Sequence, residues 1–268
     1  MTIRAAILIF LFGGLAAVGQ TGANPQETSL LKAACDGDVA QVQQLLAQGV
    51  NVDAKDDNGD TPLLWAAAWG RTDAVKLLLD HGANIEARDK EIDQSEPSSN
   101  PVTLGANTPL TAAAFLNHAD IVRLLLAKGA NKEVRDRIVG FTPLIWSALL
   151  GETDVVQALL DAGADINAVG TGDPYVGTNA LMAGAGYGNA DVVKALLAKG
   201  VRIEDADAKG WTALLWAAYK GNADTVALLL ADGANINATA KDGSTALKIA
   251  LAGNYTTVAK LLEDRGAK

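Results

Sequence analysis

The sequence predicts an all-α repeat protein of about seven helix-turn-helix units, stacked as a solenoid. Three observations support this fold class. A segment of about 33 residues recurs along the chain, which is typical of repeat arrays. Hydrophobic residues make up 49% of the chain, and many are Ala and Leu, which favour helix. The 27 glycines recur at the positions where short helices would end.

Two markers define the repeat. Each segment begins at an equivalent residue, and these are Thr28, Thr61, Thr108, Thr142, Asn179, Thr212 and Thr245. Each ends its second apolar run at a glycine, and these are Gly49, Gly82, Gly129, Gly163, Gly200, Gly233 and Gly266. Both markers have successive spacings of 33, 47, 34, 37, 33 and 33 residues. Because they shift together, every insertion lies between this glycine and the next start, in a loop that tolerates extra residues.

Each repeat contains two short helices. The first begins at the Thr-Pro or Thr-Ala pair and ends at a residue suited to the left-handed region. These end residues are Gly37, Gly70, Asn117, Gly151, Gly188, Gly221 and Asn254. The second helix has an aspartate in its first turn, such as Asp154, and an apolar face such as Val156, Leu159 and Leu160. Neither helix is long enough to be stable alone, so the repeats must stack.

The TPL start, the AA-x-x-G middle and the LLL-x-x-GA-N end, seen together in TPLLWAAAWGRTDAVKLLLDHGAN at 61–84, resemble the ankyrin repeat. The resemblance covers 27–268 and implies β-turn finger loops between L-shaped helix pairs. The predicted repeats span about 27–55, 56–88, 89–136, 137–169, 170–206, 207–239 and 240–268. The family usually has His after TPL, whereas this chain has residues such as Leu64 and Leu215. We therefore expect apolar packing to replace the hydrogen bonds of that histidine.

The first 19 residues are predicted to be a signal peptide, with cleavage as late as residue 23 and a linker at 20–26. Arg4 precedes an uncharged run at 5–19, which is too short to span a bilayer comfortably. The single cysteine, Cys35, leaves no disulfide framework, which favours a bacterial periplasm over a eukaryotic extracellular location. Secretion from the cell is the alternative. No membrane association is expected after cleavage.

Composition and motifs favour binding over chemistry. The formal charge of −9 does not favour nucleic-acid binding, which needs clustered Lys and Arg. His81 and His118 are expected to be structural or solvated, and one cysteine with two separated histidines makes no zinc motif. The Gly-rich run 184–188 falls inside a first helix, and Asp56–Asp60 fits a finger turn rather than a calcium loop. We expect no catalytic residues, no metal and no cofactor.

A candidate binding surface follows from the resemblance. In ankyrin repeats, partners dock on the concave face, at the residue before each starting Thr and the two residues before the first-helix glycine. The large apolar residues at those positions are Trp69, Phe115, Leu116, Phe141, Leu149, Leu150, Tyr187, Trp211 and Tyr219. An exposed apolar row of this kind predicts an interaction site. The alternative is that neighbouring fingers cover these residues.

Trp65 and Trp69 are predicted to have different roles. Trp65 shares its repeat position with Trp146 and Trp216, so the recurrence predicts a structural stacking ladder between repeats. Trp69 has no such counterpart and is predicted to contact a partner.

The predicted function is a non-enzymatic, monomeric scaffold that binds a protein partner. The alternatives are a secreted effector that binds a host protein, or a small-ligand receptor or enzyme that uses the groove. The longest insertion, 90–107 with sequence KEIDQSEPSSNPVTLGAN, is predicted to be flexible. It either reaches the groove or a partner, or is a passive insertion.

Overall fold

The computed structural model describes residues 24–89, 108–137 and 139–268. The predicted signal peptide, 1–19, and the insertion at 90–107 lie outside these ranges. The described chain contains fourteen helices and no strand longer than an isolated bridge. The helices α1 to α14 are Pro25–Asp36, Val39–Ala47, Pro62–Ala68, Thr72–Asp80, Pro109–Phe115, Ala119–Ala127, Pro143–Leu150, Thr153–Asp161, Ala180–Tyr187, Ala190–Ala198, Ala213–Tyr219, Ala223–Ala231, Ala246–Ala252 and Thr256–Asp264. This confirms the all-α class and the two-helix repeat.

The chain divides into two compact units, Met1–Ile138 with α1–α6 and Val139–Lys268 with α7–α14. Within each unit, first helices pack on first helices and second helices on second helices. In the first unit the rows are α1, α3, α5 and α2, α4, α6. In the second unit they are α7, α9, α11, α13 and α8, α10, α12, α14. Among the described residues, none of the helices is long and apolar enough to cross a bilayer.

Within each unit, the core of a repeat lies between its two helices and those of its neighbours. In α8, Val156 and Leu159 are fully buried and Leu160 is half-buried, which confirms the predicted apolar face. The positions after TPL are also buried where they are apolar, as at Leu64 and Leu215. Burying one such leucine side chain contributes about 2 kcal/mol, so the stacked rows supply most of the favourable free energy of folding.

The residues predicted to end the first helices have the backbone conformation expected of them. Gly151, at the end of α7, has φ 79°, and Asn117, just after α5, has φ 62°. All seven predicted end residues have positive φ. This region suits glycine and asparagine because other side chains clash there with the backbone. The sequence therefore predicted where each first helix ends.

Gly184 and Gly186 lie inside α9, as expected from the repeat register. A Cβ on Gly186 would lie 3.7 Å from Trp216 Cβ and Cε3, which is ordinary van der Waals contact. We expect Gly186→Ala to stabilise the protein by about 0.5 to 1 kcal/mol, since alanine favours helix more than glycine does. Urea unfolding measures this as a higher midpoint.

Gly188 is the matched control for this substitution because it follows α9 directly and has φ 75°. Gly188→Ala is expected to destabilise the protein by about 1 kcal/mol, since a Cβ is strained in this region. A lower unfolding midpoint for Gly186→Ala would show that the Trp216 side chain leaves no room for a methyl group.

Candidate functional site

The finger before α3 is fixed by one aspartate. Asp56 Oδ1 accepts hydrogen bonds from the backbone N–H groups of Asn58 and Asp60, both at 2.9 Å. Its second oxygen, Oδ2, accepts from Trp65 Nε1 at 3.0 Å. The carboxylate therefore closes the turn and ties it to the first helix of the same repeat.

The same arrangement recurs in the second unit. Asp207 Oδ1 accepts from the N–H groups of Lys209 at 2.8 Å and Trp211 at 2.9 Å. Asp207 Oδ2 accepts from Trp216 Nε1 at 3.1 Å. Charge-assisted bonds of this kind are stronger than neutral ones. They fix the position of Trp211 at the tip of the finger.

These bonds revise the interpretation of the recurring tryptophans. Trp65 is only 6% exposed, which agrees with a structural role. The reason differs from the expected ladder between repeats, because the indole N–H binds a carboxylate nine residues upstream in its own repeat. Trp146 has Arg137 at that upstream position, and its ring instead meets Phe141 at a centroid distance of 5.2 Å. The Asp-x₈-Trp spacing was the sequence signal for this pair.

Hydrogen bonds between repeats hold the ends of the first helices. Asn222 Nδ2 donates to the carbonyl oxygens of Ala185 at 3.0 Å and Gly186 at 2.9 Å in the preceding repeat. His118 Nε2 lies 3.0 Å from the Ala68 carbonyl oxygen in the same relation. This agrees with the structural role predicted for His118. The bonds satisfy carbonyls that would otherwise lack a partner at the helix end, and they fix the residues that follow, such as Tyr187.

The nine predicted contact residues divide by exposure. Tyr187 is 46% exposed and Tyr219 is 47% exposed. The half-buried ones are Trp69, Leu116, Leu149, Leu150 and Trp211. Phe115 is 8% exposed and Phe141 is 2% exposed, so the expectation that these two line an open surface was wrong.

The two buried phenylalanines have different physical reasons. Phe115 is the last residue of α5, a short helix that is buried along its whole length. The Phe141 ring is covered by the edges of Trp146 and Tyr175, whose centroids lie 5.2 and 5.5 Å away. Tyr175 belongs to the loop that carries the four-residue insertion before α9. A finger loop covers Phe141, as the alternative interpretation of the sequence anticipated.

The loop at 170–178 was not singled out in the sequence as a contact surface. It contains a cis Asp173–Pro174 peptide bond. The Val176 carbonyl oxygen accepts from the Ala208 N–H at 2.9 Å, which joins this loop to the next finger. Tyr175 and Val176 are left exposed. The loop thus adds two apolar side chains beside the predicted contact residues.

An aromatic cluster lies on the next repeat. The Trp211 ring centroid is 5.0 Å from that of Trp216 and 5.2 Å from that of Tyr219. Lys220 Nζ lies 5.2 Å from the centroid of Tyr219 and 5.9 Å from that of Tyr187. These distances are typical of cation–π contacts. Lys220 therefore links the aromatic residues of two successive repeats.

We call Tyr175, Val176, Tyr187, Trp211 and Tyr219 the aromatic surface. Burial raises the pKa of the Tyr187 hydroxyl, and the nearby Tyr175 adds to the shift. Tyr187 is therefore neutral at physiological pH and remains able to donate a hydrogen bond. The surface combines apolar ring faces with polar hydroxyl groups, a combination common at protein interfaces.

The described residues include a cysteine and a histidine whose surroundings bear on whether they could react, Cys35 and His81. Burial, followed by the Asp36 carboxylate, raises the pKa of the Cys35 thiol, which keeps it in the less nucleophilic protonated form. His81 Nδ1 lies 2.9 Å from the Leu77 carbonyl oxygen on its own helix. Within the described ranges, no group of three or more His, Cys, Asp or Glu side chains is arranged to hold a metal ion.

A family model described as ankyrin repeats (3 copies) matches residues 6–89, 92–170 and 181–268. The chain belongs to the ankyrin-repeat family. The first match begins within the predicted signal peptide. The crystal structure of the human ASB11 ankyrin repeat domain is similar, with a TM-score of 0.74 and 25% identity over 92% of this chain and 99% of that one. No curated protein matches the sequence significantly.

Ankyrin repeats generally mediate protein–protein interaction, and they typically do so without enzymatic activity. The fold alone does not identify a partner, because 589 solved chains match this ankyrin structure significantly. Any assignment of a contact surface therefore rests on the side chains that this ankyrin array exposes.

Proposed function

We propose that this ankyrin-repeat protein is a non-enzymatic scaffold that captures a protein partner through the aromatic surface of its second unit. One observation carries the proposal. Tyr187 and Tyr219, on successive repeats, are both nearly half exposed, and the Lys220 ammonium lies near both rings. Tyr and Trp are enriched among residues that dominate binding free energy, because they bury a large area at a low cost in conformational entropy.

The surface is held in place before any partner arrives. Asp207 fixes the finger that carries Trp211, and Asn222 caps the helix that carries Tyr187. Val176 is held by the backbone bond to Ala208. A preorganised surface loses less conformational entropy on binding, so more of the contact free energy appears as affinity.

The half-buried predicted residues extend the proposal. Leu149 and Leu150 belong to the second unit, and Trp69 and Leu116 to the first. We propose that each of these four residues also contacts a protein partner, on the surface of the unit to which it belongs. The buried Phe141 ring packs against the Tyr175 ring at a centroid distance of 5.5 Å and so helps to hold that residue of the surface in place.

A non-enzymatic role is supported by the state of the candidate reactive groups. His118 is engaged with the Ala68 carbonyl, and the pKa of Cys35 is raised by burial. A nucleophile needs an adjacent base or a lowered pKa to be activated, and the pKa of the Cys35 thiol is shifted in the opposite direction.

The double substitution Tyr187→Ala with Tyr219→Ala tests the binding surface. Both side chains are nearly half exposed, so we expect a smaller loss of stability than of binding, with at least a tenfold loss of partner affinity, about 1.4 kcal/mol or more. The measurement is quantitative mass spectrometry of proteins captured from the exported fraction, with thermal unfolding in parallel. Trp211 is less suitable because it is less exposed than either tyrosine.

Leu251→Ala is the matched control, since Leu251 is 54% exposed on the last repeat and lies outside the aromatic surface. A partner that is lost with the double variant and retained with Leu251→Ala supports the proposal. Equal capture by the wild type and the double variant would place the contact surface elsewhere.

We further propose that the protein is exported to a bacterial periplasm, with secretion as the alternative. The support is the arrangement of Arg4, the uncharged run and the small residues at 17–19. Mass spectrometry of the mature N-terminus, together with cell fractionation, tests this. An intact Met1 on the cytoplasmic protein would refute it.

A further inference from the structure

We infer that the aromatic surface binds an acidic, extended peptide segment of the partner. This inference rests on the proposed function, since it specifies the chemistry of the partner at the same surface. It is carried by Lys220, whose ammonium group lies near two of the aromatic rings, and by further exposed lysines in neighbouring segments of a chain that is otherwise acidic.

Four exposed lysines belong to the fingers and first helices of the last two repeats, and these are Lys209, Lys220, Lys241 and Lys248. Lys209 precedes Trp211 in the same finger. The Lys241 N–H donates to the Lys209 carbonyl oxygen at 3.1 Å, so the two lysine-bearing fingers lie side by side. The cations therefore continue from the aromatic rings onto the adjacent finger.

The segments that carry these four lysines contain few acidic residues. Residues 207–220 and 240–252 contain these four lysines and two acidic residues, Asp207 and Asp242. Asp207 is buried, and its oxygens accept three hydrogen bonds from its own repeat. Asp242 is exposed and remains ionised, because the Ser244 N–H lowers its pKa. The accessible charge in these segments is therefore positive.

The equivalent segment of the second repeat carries a net negative charge. Residues 56–69 contain Asp56, Asp57 and Asp60 and no Lys or Arg. The chain as a whole carries a formal charge of −9. One ammonium group beside two exposed rings, with further lysines on adjacent fingers of such a chain, indicates electrostatic complementarity to a negatively charged partner segment, which favours specific association.

Lys220 shows how one partner residue could be recognised. Its ammonium group lies over the rings of Tyr187 and Tyr219, where it can pair with a carboxylate while the rings contact an apolar neighbour. An extended peptide presents alternate side chains to opposite sides. A segment that places its acidic side chains towards Lys220 and Lys209 fits this row without a deep pocket.

A peptide fits the charges better than a nucleic acid does. Nucleic-acid affinity depends on neutralising many phosphates, which a chain of charge −9 opposes. The two segments also lack arginine, whose planar fork is preferred for phosphates. A short acidic segment requires only the local lysines.

Fluorescence anisotropy with the full-length protein tests the inference. The probes are a labelled peptide that alternates Glu and Leu, the same peptide with Lys in place of Glu, and oligothymidylate. We expect the Glu peptide to bind at least about tenfold more tightly than the Lys peptide. Its affinity should fall as salt is added, because salt screens charges at an exposed surface.

The double substitution Lys209→Glu with Lys220→Glu should weaken binding of the Glu peptide at least about tenfold. Circular dichroism melting checks that the variant folds. Lys260→Glu, an exposed site on α14, makes the same kind of charge change and should alter binding by less than about twofold.

Three results would overturn the inference. These are no binding of the Glu peptide, equal binding by the double lysine variant, or tighter binding of oligothymidylate than of the Glu peptide. The proposed function is judged separately, because the Tyr187 and Tyr219 variants are measured against the natural partner. Loss of that partner without any effect of the lysine variant would reject the acidic peptide and retain the aromatic surface.

Discussion

Asp60→Asn is expected to stabilise the protein above about pH 8 and to flatten its stability between about pH 4 and pH 8. Burial, followed by the nearby carboxylates of Asp56 and Asp89, raises the pKa of Asp60 to about 8. An aspartate in the unfolded chain has a pKa of about 3.9. Between these values, the folded protein binds a proton that the unfolded chain has released.

The sign of the effect follows from proton linkage. A raised folded-state pKa contributes stability that is fully present below about pH 4 and is lost as pH rises through about 8. The shift of about four units corresponds to a loss of up to about 5 kcal/mol. Asparagine carries no charge at any of these pH values, so the variant lacks this loss.

Urea unfolding at about pH 5, 7 and 9 measures the effect for the wild type and Asp60→Asn. The wild type should lose stability with rising pH, and the difference between the two proteins should grow. Asp57→Asn, an exposed site in the same finger, is the control and should differ from the wild type by less than about 0.5 kcal/mol. Parallel pH profiles for the wild type and Asp60→Asn would contradict the prediction.

Asp207→Ala is expected to destabilise the second unit by about 3 to 5 kcal/mol. The substitution removes one buried carboxylate that accepts from two backbone N–H groups and from Trp216 Nε1. Buried donors that lose a charged acceptor are costly, and the three contributions are not additive. Because the same bonds hold Trp211, the variant should also lose partner affinity.

Chemical unfolding measures the loss of stability, and tryptophan fluorescence reports the changed environment of Trp216. Asp242→Ala is the control, since Asp242 is exposed and accepts a hydrogen bond from the Ser244 N–H in its own turn. We expect it to cost less than about 1 kcal/mol. An equal loss for both variants would show that the three bonds to Asp207 add nothing beyond an ordinary turn contact.

The sequence predicted the elements well because their signals are local. The spacing of Gly163 and Asn179 located an insertion, and Asn117 at a glycine position indicated a left-handed helix end. Both depend on the conformation that one residue allows. Apolar spacing along a helix likewise predicted that Val156 and Leu159 are buried.

Exposure of the candidate site could not be predicted in the same way. Phe141 and Trp211 hold the same repeat position, yet Phe141 is buried and Trp211 is half-buried. The difference arises because Tyr175, from the loop before the next first helix, covers Phe141. A side chain's exposure depends on neighbours that are distant in sequence, which a positional rule does not include.

The sequence by itself determined the repeat period, the two helices of each unit, the residues at which those helices end and the family to which the chain belongs. Each of these depends on local backbone preference or on a pattern within one repeat. Only the tertiary structure decided that Asp207 binds Trp216, that Tyr187 and Tyr219 share one lysine, and that Lys209 and Lys241 lie on adjacent fingers. The first relation depends on how a finger folds back onto the helix of its own repeat. The other two exist because stacking brings together residues that are about 30 residues apart in the chain.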